Sequence, residues 1–391
     1  MKILMIAPEP FFQPRGTPFS VFHRTKALAG FGHEIDILTY HLGEDVDLPN
    51  TKIYRVRNVP FIKQIIVGPS FKKFFLNFLI FFKGLSLLKK GNYDCIHAHE
   101  EGGLFGIFYR KLFRLPLVYD MHSSIPEQIV NFNFFKYSIT IRAMSWFEKR
   151  IIKNSDAVIG ICPHLVETVH SIDRKKEAVC IENTPMVEDL KAVDDDKKKA
   201  LLEELGIKGM KIALYTGTFE NYQGMDLLID SIPFVIKGYP NVKFVLVGGK
   251  DWQVASFKKQ VEKMNIAEHV LFTGQRPFED MDKFMAIADI LLSPRKVGTN
   301  TPLKLYSYLK SGKPIVATDL LTHTQVLNPK VAILTKPTPE SYAKGIIKVL
   351  NDPESGENLG RAGKELMERD YNYDKFLEKT KYIYDYMASI S

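Results

Sequence analysis

Cysteine is scarce in this 391-residue sequence: Cys95, Cys162 and Cys180 are the only three. None stands at the spacing of a zinc site or a redox pair. They read as small buried hydrophobes in a reducing compartment, so a cytoplasmic location is expected. No apolar run reaches the ~20 residues that span a bilayer. The opening stretch MKILMIAPEP is too short for a secretory core and stops at Pro8, so it reads as a strand. The GxGxxG spacing is missing, which removes the usual dinucleotide fingerprint. Acidic residues are absent between Asp47 and Asp94, where nine Lys and Arg stand. Residues 1–185 hold 24 basic residues against 17 acidic, so most of the net charge of +8 lies in the first half. That half is expected to face an anionic surface or partner, with no nucleic acid implied.

What is present is ordinary for a soluble globular protein: 45% apolar and 25% charged residues. The length suits two domains. The most informative stretch is Ser293 to Asp319, SPRKVGTNTPLKLYSYLKSGKPIVATD. Ile290 to Leu292 reads as a buried strand and Gly298 to Thr301 as a small-residue loop. Pro302 suits the first position of a helix. Gly312 closes that helix before a strand from Pro314 to Ala317. Such a loop offers backbone N–H groups at the positive end of a helix dipole, a ready anion site. Arg295, Lys296 and Lys304 add three cations. Lys304 in the first turn is unfavourable for the helix alone, and a bound diphosphate removes that penalty. A plain strand–helix connection with solvated lysines is the competing reading.

The rest of the chain alternates. A strand over Lys2–Ala7, a loop to Pro18, a helix over Phe19–Gly30 and a strand over Ile35–Tyr40 form one βαβ unit. Its loop sets Arg15, Gly16 and Thr17 at a strand's C-terminal edge, where open α/β sheets bind ligands. Phe71–Lys90, FKKFFLNFLIFFKGLSLLKK, reads either as a buried helix or as a membrane-interface helix. Further strands are expected at Cys95–Ala98, Leu117–Tyr119, Ala157–Ile161 and Val179–Glu182. His122 follows the strand at Leu117. His97 and His99 alternate like metal ligands, but no carboxylate or cysteine nearby in sequence completes a set, so no metal is expected. Residues 187–209 read as a linker in which Asp194 and Asp196, a DxD by pattern, start a helix. Strands at Ile212–Thr216, Phe244–Val247, Val270–Phe272, Ile290–Leu292, Ile315–Ala317 and Val331–Leu334 then build a second doubly wound sheet. Gly217, Gly248, Gly249 and Gly274 sit at strand ends, where backbone can approach a ligand closely. The segment Asp374–Met387 is an amphipathic, tyrosine-rich helix.

Taken together, RGTP, GHEIDILT, YDCIHAH, YDMHSSIPE, SDAVIGIC, YTGTFENYQGMDLLI, FVLVGG, VLFTGQRP and TPLKLYSYLKSGKPIVATD resemble the retaining glycosyltransferases of family 4 (group 1), across nearly the whole chain. The resemblance implies an α/β GT-B fold: two Rossmann-like doubly wound parallel-sheet domains facing a central cleft. An acceptor-side domain over 1–186 receives the C-terminal helix (374–391), and a nucleotide-sugar domain covers 210–373. It implies transfer of a sugar from a nucleoside-diphosphate sugar, with retention, without cofactor or metal. His122 resembles the family's histidine beside the sugar, placed to hydrogen-bond a hydroxyl or help hold charge. Donor contacts fall on Gly16, Thr17, Gly217, Thr218, Gln223, Gly274, Gln275, Arg276, Arg295, Thr299, Asn300, Thr301, Lys304 and Ser307, with Thr273 beside them at the base. The sequence departs from the family pattern in two places. Thr218 and Gln223 stand where a basic pair is usual, and Thr299 and Ser307 where two glutamates are. The positive charge has moved to Arg295 and Lys304. The basic, Phe-rich stretch 52–90 points to a lipid-linked acceptor or a peripheral membrane contact. A nucleotide-sugar 2-epimerase and a non-catalytic nucleotide-sugar-binding relative are the alternatives.

Overall fold

The structure is a computed structural model that describes residues 1–13, 16–65, 70–127, 138–183 and 193–390. It divides into two compact units: Met1–Met186 with Tyr373–Ser391, and Val187–Asn372. Arg15 lies outside the described residues.

The first unit is built on seven strands: β1 (Lys2–Ala7), β2 (Glu34–Thr39), β3 (Thr51–Arg55), β4 (Cys95–His99), β5 (Leu117–Met121), β6 (Ala157–Gly160) and β7 (Glu177–Cys180). Their order is β3-β2-β1-β4-β5-β6-β7, all parallel. A parallel sheet is covered on both faces, so its strands are continuously apolar, as in KILMIA. Along β1, Ile3, Met5 and Ala7 face one way, toward the helix Gly16–Gly30 and the C-terminal helix Tyr373–Ile390. Leu4 and Ile6 face the other way, toward the helix Phe71–Lys90. The edge strand β3 was not expected. Its TKIYR pattern is short and mostly half-buried, so it carries little periodic signal.

The helix Phe71–Lys90 buries Leu76, Ile80, Gly84 and Leu88, spaced four apart on one face. Gly84 is required there, because a Cβ would lie 2.5 Å from the Tyr109 hydroxyl. The opposite face keeps its phenylalanines in water: Phe71 is 96% exposed, Phe74 76% and Phe78 55%. The buried-helix reading holds for one face, and the other is an exposed apolar face.

The second unit holds β8 (Lys211–Thr216), β9 (Val242–Val247), β10 (Val270–Gly274), β11 (Ile290–Ser293), β12 (Ile315–Thr318) and β13 (Ile333–Thr335). The order is β10-β9-β8-β11-β12-β13, again parallel. The strand direction of growth reverses between β8 and β11, and the crevice at such a switch point is the usual ligand position. Within the stretch expected as a linker, Asp194 caps the helix Asp195–Glu204 through Lys197 N. Leu201 and Ile207 of that stretch lie in the core of the second unit. Two leucine-type anchors on an otherwise charged segment suffice to dock it, which composition alone did not reveal.

Candidate functional site

In the second unit the switch point is lined by glycine. Gly217 follows β8 with φ +140°, and Gly248 follows β9 with φ +124°. A Cβ on Gly248 would stand 1.9 Å from the Gly217 carbonyl oxygen, so only glycine lets the two loops touch. Gly217 N donates to Val247 O at 3.0 Å and Gly248 N to Gly274 O at 2.8 Å. The strand ends of β8, β9 and β10 are thus stitched together. Thr218 is exposed, and its carbonyl accepts the Tyr215 hydroxyl at 2.7 Å. Gln223 ends a short turn closed by Gly224, whose φ of +76° brings it against the Pro294 carbonyl. Lys296 N donates to Tyr222 O at 3.1 Å, locking this turn to the loop after β11.

The loop after β11 holds its cations differently from one another. Lys296 pairs with Asp226 and is neutralised. Arg295 donates through Nη1 to Asn300 O and to Thr322 Oγ1, both at 2.7 Å, with its guanidinium 5.0 Å above the Tyr222 ring. Thr322 Oγ1 also donates to Asn300 O at 2.6 Å, and Gln325 donates to Thr299 O at 2.6 Å. These bonds turn the Thr299 and Asn300 carbonyls inward. In a trans peptide the N–H opposes the carbonyl, so the amides of Asn300 and Thr301 point the other way. Behind the loop, His323 takes Ser293 Oγ at 2.8 Å and the Thr318 carbonyl at 2.8 Å. Burial pushes its imidazole down to about 3, so it is a neutral brace.

The helix begins at Lys304 rather than at Pro302. Leu305 N reaches back to Pro302 O and Tyr306 N to Leu303 O, so Pro302 lies just ahead of the first turn. Lys304 then crosses to β8. Its Nζ sits 3.8 Å from the Tyr215 ring centre and 3.3 Å from where a Gly217 Cβ would be. That ammonium is buried without a hydrogen-bond partner, as is the Thr301 hydroxyl. Burial, then the Arg295 charge, pushes the Lys304 amine well below its ordinary range. Lys304 and Gly217 therefore meet at the switch point. Ser307 lies half-buried on the next turn. Gly274 (φ +71°) and the exposed Gln275 lie at the end of β10. Arg276 is engaged elsewhere: it pairs with Glu204 at 2.9 Å and stacks on Phe284.

In the first unit Gly16 and Thr17 start the helix Gly16–Gly30 beyond the end of β1. The histidines of β4 gain a carboxylate that the sequence spacing hid, which corrects the expectation that none lies near. Parallel pairing sets His99 opposite Asp120 on β5. Asp120 Oδ2 accepts His97 Nε2 at 3.2 Å and lies 3.4 Å from Arg24 Nε. His99 Nδ1 and His122 Nε2 are 2.9 Å apart, and His122 Nε2 lies 3.3 Å from Asp120 Oδ1. Tyr384 of the C-terminal helix bonds His97 Nδ1, and Arg24 donates to Thr380 at 3.1 Å. Burial raises the Asp120 carboxyl, but the facing Arg24 charge and the His97 hydrogen bond more than reverse this and hold it well below the usual range. Burial pushes His97, His99 and His122 down. His97, His99 and Asp120 lie close enough to hold a cation. The Arg24 guanidinium already neutralises the same Asp120 oxygen, and a divalent ion beside it would meet direct repulsion. The cluster thus fits a structural ion pair with neutral imidazoles better than a metal centre.

Sequence reasoning missed Asp120, Arg24 and Tyr384. The available signal was a charged residue inside an otherwise apolar strand, VYDM, and another inside an apolar helix, FSVFHRTKALA. It also missed Glu100, which has φ +48° and accepts the Ser123 hydroxyl at 3.1 and 3.2 Å. Burial, then the Glu101 charge, pushes its carboxyl up to about 8.

Two family models match the chain: "Glycosyltransferase Family 4" over residues 14–183 and "Glycosyl transferases group 1" over residues 197–366. Phosphatidyl-myo-inositol mannosyltransferase of Mycobacterium leprae is 24% identical, covering 100% of this chain and 98% of its own length. An uncharacterized glycosyltransferase of Methanocaldococcus jannaschii is 24% identical over 98% of both chains. Among solved structures, sucrose-phosphate synthase from Thermosynechococcus elongatus superposes with TM-score 0.81 at 20% identity, covering 100% of both chains. Anabaena HepE in complex with UDP-glucose superposes with TM-score 0.74 at 16% identity, over 98% of this chain and 99% of that one. Both likenesses are of the GT-B fold.

Proposed function

We propose that this chain, which belongs to the group 1 glycosyltransferases of family 4, moves a sugar from a nucleoside-diphosphate sugar to a lipid-borne acceptor with retention of configuration. The observation that carries the donor half is the buried Lys304 ammonium beside Gly217, which has no hydrogen-bond partner among the described residues. The leaving diphosphate gains negative charge as the glycosidic bond breaks. Preorganised donors stabilise such charge far more than water does. The Thr218 N–H, the loop amides of Asn300 and Thr301 that point away from the inward-turned carbonyls, Arg295 and Lys304 supply them. Arg295 and the loop it braces are fixed by its bonds to Asn300 O and Thr322 Oγ1, so little reorganisation accompanies the reaction. In this reading the protein's own cations do the work of a metal. His122 is held neutral by burial, which favours a hydrogen bond to a sugar hydroxyl over the holding of charge.

The acceptor half rests on the exposed phenylalanine face of the helix Phe71–Lys90 and on the acid-free stretch around it. Lys89 and Lys90 lie in its last turn, and Lys72 and Lys73 in its first. A half-buried apolar stripe with flanking lysines suits an anionic lipid surface. A phospholipid or lipid-linked polyol is thus the favoured acceptor class, in line with the printed name of the mycobacterial relatives.

The test supplies UDP-glucose, GDP-mannose and other sugar nucleotides with vesicles of phosphatidylglycerol and phosphatidylinositol, with and without EDTA. The product is read by NMR at its anomeric centre. The expected result is one donor consumed, EDTA-insensitively, with the donor's anomeric configuration kept. Inversion, or a requirement for added metal, overturns the mechanism. Epimerised donor without acceptor favours an epimerase, and nucleotide binding without turnover favours a non-catalytic relative.

A further inference from the structure

We infer that Lys304 takes up a proton when the donor diphosphate binds, so that donor affinity is linked to pH through this one side chain; the inference rests on the reading of the switch point as the diphosphate site. The starting point is local. A cation in the first turn of a helix faces the positive end of the dipole. Here the same ammonium is withdrawn from water and has no hydrogen-bond acceptor. An isolated buried ammonium is costly enough that such a group commonly sheds its proton instead.

The groups packed around it do not restore the charge. From β8, Tyr215 presents its ring at 3.8 Å, a cation–π attraction too small to offset full desolvation, and its hydroxyl is kept protonated by burial and donates to the Thr218 carbonyl. From the loop after β11, Arg295 adds a second positive charge. From the helix Leu321–Thr324, His323 is kept neutral by burial and adds no negative charge. No carboxylate among the described residues pairs with Lys304. Two cations therefore share one dry corner with no counter-anion. Arginine does not give up its proton in proteins, so lysine is the one that yields. The Lys304 amine accordingly lies well below its ordinary range.

A bound diphosphate reverses both causes at once. It supplies oxygen acceptors and a facing negative charge, which favour the ammonium. Between the free-state and bound-state proton affinities, binding then takes up one proton, and each unit of rising pH weakens binding by up to about tenfold. The glycine at 217 makes this possible, because a side chain there would fill the space that Nζ approaches.

The test is calorimetric titration of UDP and of GDP between pH 7.5 and 9, in paired buffers of lower and higher ionisation enthalpy such as EPPS and Tris. In this range the phosphate's own second ionisation, near pH 6, is complete. Wild type is expected to take up close to one proton, with affinity falling as pH rises. Lys304→Arg should bind with the pH slope removed, and Lys304→Met should lose at least tenfold in affinity with no slope. Thermal melting of each variant checks that it folds. Tight binding with no proton uptake in wild type overturns the inference while sparing the donor site. The same uptake in Lys304→Arg overturns it too. No binding of any nucleotide by wild type removes the donor-site reading, and the proton linkage with it.

Discussion

Gly224 shows how one residue carries both a turn and a site. Its φ is +76°, and a Cβ would stand 1.9 Å from the Pro294 carbonyl oxygen. The turn that holds Tyr222 and Gln223 thereby rests directly on the loop that holds Arg295, whose guanidinium stacks on Tyr222. Gly224→Ala is expected to destabilise the second unit by about 2–4 kcal/mol, from left-handed backbone strain plus forced separation of the two segments. It should also weaken nucleotide binding, because Arg295 loses its aromatic floor. Chemical denaturation and calorimetry of the variant check both; an unchanged midpoint would mean the loops part freely. At this scale the sequence was informative where chemistry is local. The glycines at strand ends and the odd lysine of the first helical turn stood out by position. Arg276 did not behave as its position suggested, because the nearby Glu204 side chain, remote in sequence, claims it.

At the scale of the element, the helix Phe71–Lys90 carries two apolar faces, one buried and one exposed. Leu76, Ile80, Gly84 and Leu88 pack on the sheet. Phe71, Phe74, Phe75, Phe78 and Phe82 recur every three or four residues on the solvent side. Phe108 and Leu112 of the adjacent helix Gly102–Phe113 are exposed as well. A continuous apolar run hides such a division, because periodicity vanishes when both faces are filled. If the outer face meets lipid, Phe74→Ser with Phe78→Ser should cut binding to anionic vesicles by about tenfold or more, given ~1.5–3 kcal/mol for each fully buried phenylalanine. The melting temperature should stay nearly the same, since neither ring is in the core. Sedimentation with phosphatidylglycerol vesicles measures the first and circular dichroism the second. Undiminished sedimentation would reject the membrane role.

At the scale of the whole molecule, the two units should respond unequally to acid. The first unit buries His97, His99 and His122, each pushed down by burial, whereas the second buries His323 in this way. An unfolded histidine binds a proton below about pH 6.5, and these folded ones do not. Stability therefore falls with pH below that point, by up to about 1.4 kcal/mol per pH unit for each histidine. The Asp120 contribution has the same sign but appears lower, because its depressed carboxyl is lost only below the ordinary carboxylate range. Trp146 lies in the first unit and Trp252 in the second, so single-tryptophan variants report each one separately. Glu100, kept protonated up to about 8, works against the histidines of the first unit, and Lys304, which folding deprotonates, adds to His323 in the second. Melts between pH 7.5 and 5 are therefore expected to decline at Trp252 already above pH 6.5 and at Trp146 only below it; a decline at Trp146 that begins together with that at Trp252 would overturn this assignment. The sequence by itself determined the alternating strands, two sheets and the small-residue loop after β11, because each is a local pattern of apolar period and turn residues. Only the tertiary structure decided that Asp120 joins His97 and His99, that Tyr384 closes that cluster, that residues 195–209 belong to the second core, and that Lys304 has no hydrogen-bond partner among the described residues. Those facts depend on strand register and on packing between segments far apart in the chain, which no local pattern records.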